Sequence, residues 1–337
     1  MKQRNTDIDW IRAILIILMI LIHIVSFGNA YPQLKAGILS FMMPTFLIIT
    51  GYLVNIEKTG KQMRNYLKCL ALPYVIMVTG FSVLSYFMPV RDGITELSLS
   101  QICEKIFVTS IGPYWFIQTM IICGALYYFC FHGRNWNDLR KNYTKRDTYA
   151  SLFVFAVTLL LISETPALSA SAAAYYFIGV VIRQSKMEWS KLFRHEFFAI
   201  FLWIYLLYRN DWYEWGSLAV VFSCWCCIST LLFLQHLFDT PKRFKDFSPK
   251  IEKVARVTNR IKNTLLYIGR NTLPIYLFHP IFTMAAKFYH PLFSWDRSEI
   301  IFALVTIFIA IAGSIGIAKM MEKTHLAYLF GKGKILR

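Results

Sequence analysis

Two side chains whose chemistry is expensive in an apolar run stand near the start of the sequence. Arg12 and His23 interrupt a segment, about 10–28, that is otherwise apolar and long enough to cross a bilayer, which takes roughly 20 such residues. Ionisable groups inside a membrane helix are rare and face a cavity or a partner. The two positions are 11 residues apart. On a helix that puts them about 20° apart around the axis and about 16 Å apart along it. A guanidinium and an imidazole on one face mark two points of an internal path. Apolar surroundings disfavour the charged imidazole, and a neutral ring can take a proton from a hydroxyl, as a general base must. Asp9, one turn before Arg12, either pairs with that arginine or caps the helix N-terminus.

A second histidine lies inside a later run. His279 follows Arg270 by nine residues within an expected span at 264–286, about 13 Å along a continuous helix. It would reach a depth comparable to that of His23. A membrane histidine can also serve only as an interhelical hydrogen-bonding group, so both readings stand. The other five, His132, His195, His236, His290 and His325, fall near expected span ends and imply no role. Lys58, Lys61, Arg64 and Lys68 form a basic stretch. It is either topological charge or a phosphate-binding patch, with Arg64 suited to bidentate oxyanion contact. Met43-Pro44-Thr45-Phe46 and Thr50-Gly51-Tyr52 interrupt the second run and free backbone groups to line a cavity. Pro113-Tyr114-Trp115-Phe116 reads as an aromatic cluster at the outer interface. Neither a Ser-His-Asp spacing nor a Gly-x-Ser-x-Gly elbow is present, and no glycine loop suggests nucleotide binding. Cys224-Trp225-Cys226-Cys227 lacks a second ligand pair at zinc-like spacing, so buried thiols are expected and no metal.

The elements that must position these groups are apolar spans. Of 337 residues, 56% are hydrophobic, 17% aromatic and only 16% charged, the profile of an all-α polytopic membrane protein. A net charge of +17 raises the question of nucleic acid, but Lys and Arg sit almost entirely in connections between spans, so no nucleic-acid partner is expected. Ten spans are read at about 10–28, 37–55, 69–88, 115–131, 148–163, 169–182, 196–208, 215–236, 264–286 and 299–318. The first follows only Lys2 and Arg4 and lacks a small-residue cleavage site, which suggests a retained anchor. Taking alternate connections as cytoplasmic places 28 basic residues inside and 6 outside, Arg12 and Arg270 being the remaining two of 36. The alternation never breaks, so both termini are expected in the cytoplasm. Residues 250–265 read as a basic amphipathic helix on the inner leaflet, held by anionic lipid. Another interfacial helix is expected around Leu97–Phe107.

In combination these pieces resemble the membrane-bound acyltransferase-3 family of bacterial proteins that O-acylate carbohydrates. The resemblance rests on Asp9-x-x-Arg12, on His23 after ten intervening residues, and on Thr50-Gly51-Tyr52-Leu53. It continues in Leu72-Pro73-Tyr74, in Tyr114-Trp115-Phe116 and in Ile268-Gly269-Arg270-Asn271-Thr272-Leu273-Pro274-Ile275-Tyr276-Leu277-Phe278-His279-Pro280. Thr50 stands where the family usually has serine, and Ala13 where it often has glycine. The resemblance implies a single transmembrane domain over 1–337 without an appended soluble domain, in a bacterial plasma (inner) membrane. It implies acetyl-CoA as donor and a sugar hydroxyl of a surface or lipid-linked polysaccharide as acceptor, with no metal. It makes His23 the essential histidine, Arg12 a donor-binding or charge-stabilising group, and Arg64, with Lys68 beside it, a contact for coenzyme A phosphates. Tyr276 and His279 become candidates near the acyl-transfer centre. Asp9, Arg270, Thr50, Tyr52 and Trp115 complete the candidate set. The alternative is a transporter or export component whose passage Arg12, His23 and His279 would line.

Overall fold

The computed structural model describes residues 5–88, 92–132, 145–193, 196–208, 214–243, 249–331 and 333–337. Every regular element among them is helical. The long helices are α1 (Thr6–His23), α3 (Pro32–Leu53), α4 (Gly60–Phe87), α6 (Trp115–His132), α7 (Lys145–Ser163), α8 (Ala170–Gln184), α11 (Leu218–Arg243), α12 (Pro249–Arg270), α13 (Thr272–Tyr289) and α14 (Ile300–Lys323). Shorter ones are α2 (Val25–Ala30), α5 (Leu99–Phe107), α9 (Trp189–Leu192) and α10 (Phe198–Tyr208). Six described segments are long and apolar enough to cross a membrane: α3, α4, Gly112–Phe131, Arg146–Ser163, Leu218–Phe238 and α14. α10 is apolar but short.

Two of the expected spans are broken. The run at 10–28 ends as a helix at His23, because Ile24 is extended (φ −79°, ψ 106°) before α2 begins. Ile24 is buried in a cluster with Phe27, Ala286 and Phe302, so packing rather than local sequence sets the break. The run at 264–286 is divided at Asn271, between α12 and α13. Pro274 stands in the first turn of α13, where a missing N–H is harmless; within a helix continuing from α12 it would leave a carbonyl unpaired. The amphipathic helix therefore runs to Arg270, beyond its expected limit at 265, and Arg270 and His279 do not share one helix. The short helix expected near Leu97–Phe107 is α5. His195 lies outside the described residues, as do the side chains of His132, Lys250 and Ile251.

The chain divides into two compact units, the boundary falling within α3 between Phe46 and Leu47. The first comprises the stretch up to Phe46, Met187–Thr324 and Lys334–Arg337. Here α11 is fastened to α1: Trp10 Nε1–H donates to the Leu231 carbonyl at 2.8 Å, and Gln235 Nε2 donates to Asp7 Oδ1 at 3.2 Å. α12 meets α1 backbone to backbone, since a Cβ on Gly269 would stand 1.7 Å from the Asp9 carbonyl oxygen. α13 and α14 form a hairpin joined by a Tyr289 to Thr306 hydroxyl bond of 3.0 Å.

The second unit comprises Leu47–Lys186 and His325–Gly333. Its α3 and α8 cross through reciprocal glycines. A Cβ on Gly51 would lie 2.2 Å from the Tyr176 carbonyl oxygen, and one on Gly179 would lie 2.0 Å from that of Ile48. Such small-residue crossings let membrane helices approach where no hydrophobic gradient drives them together. Tyr74 of α4 donates to the Ile106 carbonyl at 2.8 Å, and Gln118 of α6 donates to Phe107 and Val108, both at 3.2 Å, holding the end of α5.

Candidate active site

His23 is the last residue of α1 and His279 lies in α13. The break at Ile24 and the packing of α13 on α1 bring their rings to a centroid separation of 5.2 Å, edge to face at 75°. Each ring is held by its own helix. His23 Nδ1 is 2.7 Å from the Met19 carbonyl oxygen, and His279 Nδ1 is 2.8 Å from that of Tyr276. The second bond has a local cause. Pro280, next in the chain, has no N–H to give the carbonyl four residues earlier, and that carbonyl belongs to Tyr276. The imidazole of His279 takes the vacated acceptor.

A carbonyl oxygen only accepts, so the nitrogen facing it must carry the hydrogen. In the neutral ring the other nitrogen is then a bare acceptor. Both histidines thus offer Nε2 as the basic atom. His279 is fully buried, and its Nε2 has no hydrogen-bond partner among the described residues. His23 is only half-buried, which makes it the reachable base of the two. Tyr276, also buried, packs its ring 5.9 Å from that of His279.

At the other end of α1, Arg12 donates to the hydroxyl of Thr272, the first residue of α13. α1 is unbroken from Arg12 to His23, so their backbone positions are about 16 Å apart along the axis. An oxyanion donor must sit about 3 Å from the charge it stabilises. Arg12, bonded to the first residue of α13, stands several helical turns from the position of His23. Asp9 does not cap the helix. Asn5 does, its side chain accepting from the amides of Asp7 at 2.9 Å and Ile8 at 3.4 Å. The Asp9 carboxylate, nearly buried, stands 3.7 Å from Arg270 Nε, so this pair ties α1 to α12 where Gly269 lets the backbones touch. Next in line, Asn271 donates to the Tyr267 carbonyl at 2.9 Å and accepts from the Arg337 amide at 2.8 Å.

The remaining candidates lie in the second unit. Arg64 and Lys68 are exposed, one turn apart on α4, whose start is fixed by a Thr59–Gln62 capping box. Lys58 lies over the Tyr66 ring at 3.9 Å. Thr50 is half-buried, as is Tyr52, whose ring has the Arg183 guanidinium 5.7 Å from its centroid. Trp115, half-buried, opens α6. Among the described residues, no group of three or more His, Cys, Asp or Glu side chains is placed to hold a metal.

A family model described as an acyltransferase domain, acyltransferase-3, matches residues 5–319. The chain belongs to this acyltransferase-3 family. No curated protein and no solved structure matches it. The match spans both units, from the cap of α1 to within α14. With its apolar helices, the chain is a multi-pass membrane acyltransferase. Two further side chains that the sequence reading did not single out touch the candidates, Thr272 at Arg12 and Arg183 at Tyr52. Thr272 belongs to the motif on which the resemblance rests, and its hydroxyl, on the first helical residue after a break, faces a half-buried cation. Arg183 sits at the end of an expected span, where it reads as ordinary topological charge.

Proposed function

We propose that this acyltransferase is an O-acetyltransferase that moves an acetyl group from acetyl-CoA to a sugar hydroxyl of a surface or lipid-linked polysaccharide, in a bacterial plasma membrane. The observation that carries the reading is the histidine pair, with both Nδ1 atoms committed to backbone carbonyls and both Nε2 atoms free to act as bases. In this reading His23 Nε2 accepts the acceptor's hydroxyl proton while that oxygen attacks the thioester carbonyl carbon. The C–S bond then breaks, and the proton passes from His23 to the departing thiolate. His279, buried against His23, fixes the ring and is the next acceptor for a relayed proton. Arg12, braced by Thr272, holds the donor at the far end of α1, and Arg64 with Lys68 binds its phosphates. Thr50, Tyr52 and Trp115 in the second unit, and Tyr276 and Arg270 in the first, are the other candidates for contact with donor or acceptor. Ten crossings with cytoplasmic termini put the basic stretch at 56–68 on the side where coenzyme A is made.

The test is acetylation of the native glycan by His23→Ala, scored by mass spectrometry at matched membrane levels of protein. Acetylation is expected to vanish. Full acetylation would exclude His23 as the base. Saturable binding of acetyl-CoA to the purified protein, weakened by Arg64→Ala, is expected as well. Absence of binding would instead favour a carrier that moves glycan without a donor.

A further inference from the structure

α12 presents a surface that acyl transfer leaves unexplained. Ala255 and Leu266 are buried on one side, and Ile268 is buried near its C-terminal end. At about 100° per residue, Val254, Val257 and Ile261 share another face, and they are 52%, 51% and 44% exposed. Lys253, Arg256 and Arg260 form a parallel stripe about a quarter-turn away, and all three are exposed. Among the described residues one acidic neighbour is in reach: Glu252 pairs with Arg256 at 3.7 Å, both side chains being more than half exposed, which leaves the stripe net positive. Three closely spaced cations cannot sit in hydrocarbon. Three exposed branched aliphatics beside them are equally out of place in water. One environment satisfies both stripes at once, the boundary between acyl chains and negatively charged headgroups.

We propose that α12 is an in-plane helix that binds anionic phospholipid, its aliphatic stripe in the acyl boundary and Lys253, Arg256 and Arg260 on headgroup phosphates. The occupant is lipid rather than a protein groove, because the cations border the apolar stripe along its length instead of ringing an apolar centre as a protein interface would. The helix ends on Gly269 and Arg270, which contact Asp9 of α1. A lipid-held α12 is therefore a fixed rail for the helix that carries Arg12 and His23.

The measurement is hydrogen exchange over 252–267 in full-length protein, in nanodiscs of phosphatidylcholine alone or mixed with phosphatidylglycerol. Native mass spectrometry counts the lipids retained. No acyl donor is present, so this result is independent of the acetyl-transfer reading. Phosphatidylglycerol is expected to slow exchange in α12 and to be retained preferentially. Each charge removed in Lys253→Gln, Arg256→Gln and Arg260→Gln is expected to weaken that preference about fivefold. The charge-keeping set Lys253→Arg, Arg256→Lys and Arg260→Lys is expected to retain it, which separates loss of charge from loss of folding. An unchanged preference in the glutamine set overturns the proposal. So does slowing by inorganic phosphate in phosphatidylcholine discs, which would indicate a soluble anion, or crosslinking of two copies through α12, which would indicate self-association.

Discussion

At the scale of single residues, the candidate site turns on groups whose neighbours decide what they can do. His279 is left with Nε2 as its acceptor because the proline that follows it frees the Tyr276 carbonyl for Nδ1, and a His-Pro pair inside an apolar helix makes that legible in the sequence. The bond from His23 to Met19 was not legible, because nothing in the run of Ile, Leu and Met residues announces a helix end at residue 24. That end comes from the burial of Ile24 against residues far along the chain. Thr272 carries the clearest prediction at this scale. Its hydroxyl accepts from Arg12, and a hydrogen bond to a charged group contributes about 1.5–3 kcal/mol. Because Arg12 is remote from the histidines, Thr272→Ala is expected to raise the KM for the donor about ten- to a hundredfold with little change in kcat. Thr272→Ser is expected to restore it. A fall in kcat at unchanged KM would place Arg12 at the reacting carbonyl instead.

At the scale of elements, helix crossings rest on glycines whose Cβ positions are occupied. Gly269→Ala sets a methyl group against the Asp9 carbonyl, so α1 and α12 must separate and the Asp9–Arg270 pair lengthens. The expected cost is about 1–3 kcal/mol, as for other overpacked contacts, read as a lower thermal midpoint with loss of transfer activity. Gly80 and Gly316 have no atom within 4 Å of such a Cβ, and their alanine variants are expected to be neutral or slightly stabilising. If all three behaved alike, close packing at Gly269 would not be the cause. The α13–α14 hairpin depends on a different device. Asp296 accepts from the Ser298 hydroxyl at 2.6 Å and from the amides of Ile301 at 2.8 Å and Phe302 at 3.0 Å, capping α14. These bonds, the Ser298 hydroxyl foremost, hold the carboxyl below its ordinary range. Its contribution is therefore present above the unfolded value, about 3.9, and is lost as pH falls through the lower folded one. Thermal midpoints of wild type and Asp296→Asn are expected to differ at neutral pH and to converge below about pH 4. A constant gap would sever the link to ionisation. The hairpin was legible as two apolar runs, but its cap was not, since the carboxylate lies four residues before the helix it caps.

At the scale of the whole molecule, apolar runs gave the helical class and most helix positions, because burial in lipid needs only a long enough unbroken run. They gave the crossings less well. α8 has 15 residues and α10 has 11, about 22 Å and 16 Å long, against a hydrocarbon core of about 30 Å. The expected runs that hold α1 and α13 are broken at Ile24 and at Asn271. For these four helices charge is the better guide. If α10 did not cross, every later connection would change sides, and the eight basic residues between 237 and 263 would face outward, against the bias that orients membrane proteins. Reporter fusions decide the matter. Alkaline phosphatase, active only outside, is expected to be inactive when joined after Lys61 or Lys186 and active after Ser98 or Arg297. The Arg297 junction is the discriminating one, because it lies beyond α10, α11 and α13. An inactive reporter there, with the first three as expected, would remove one crossing between Lys186 and Arg297. Were the lost crossing α10 or α11, the α12 surface would also turn toward the outer leaflet.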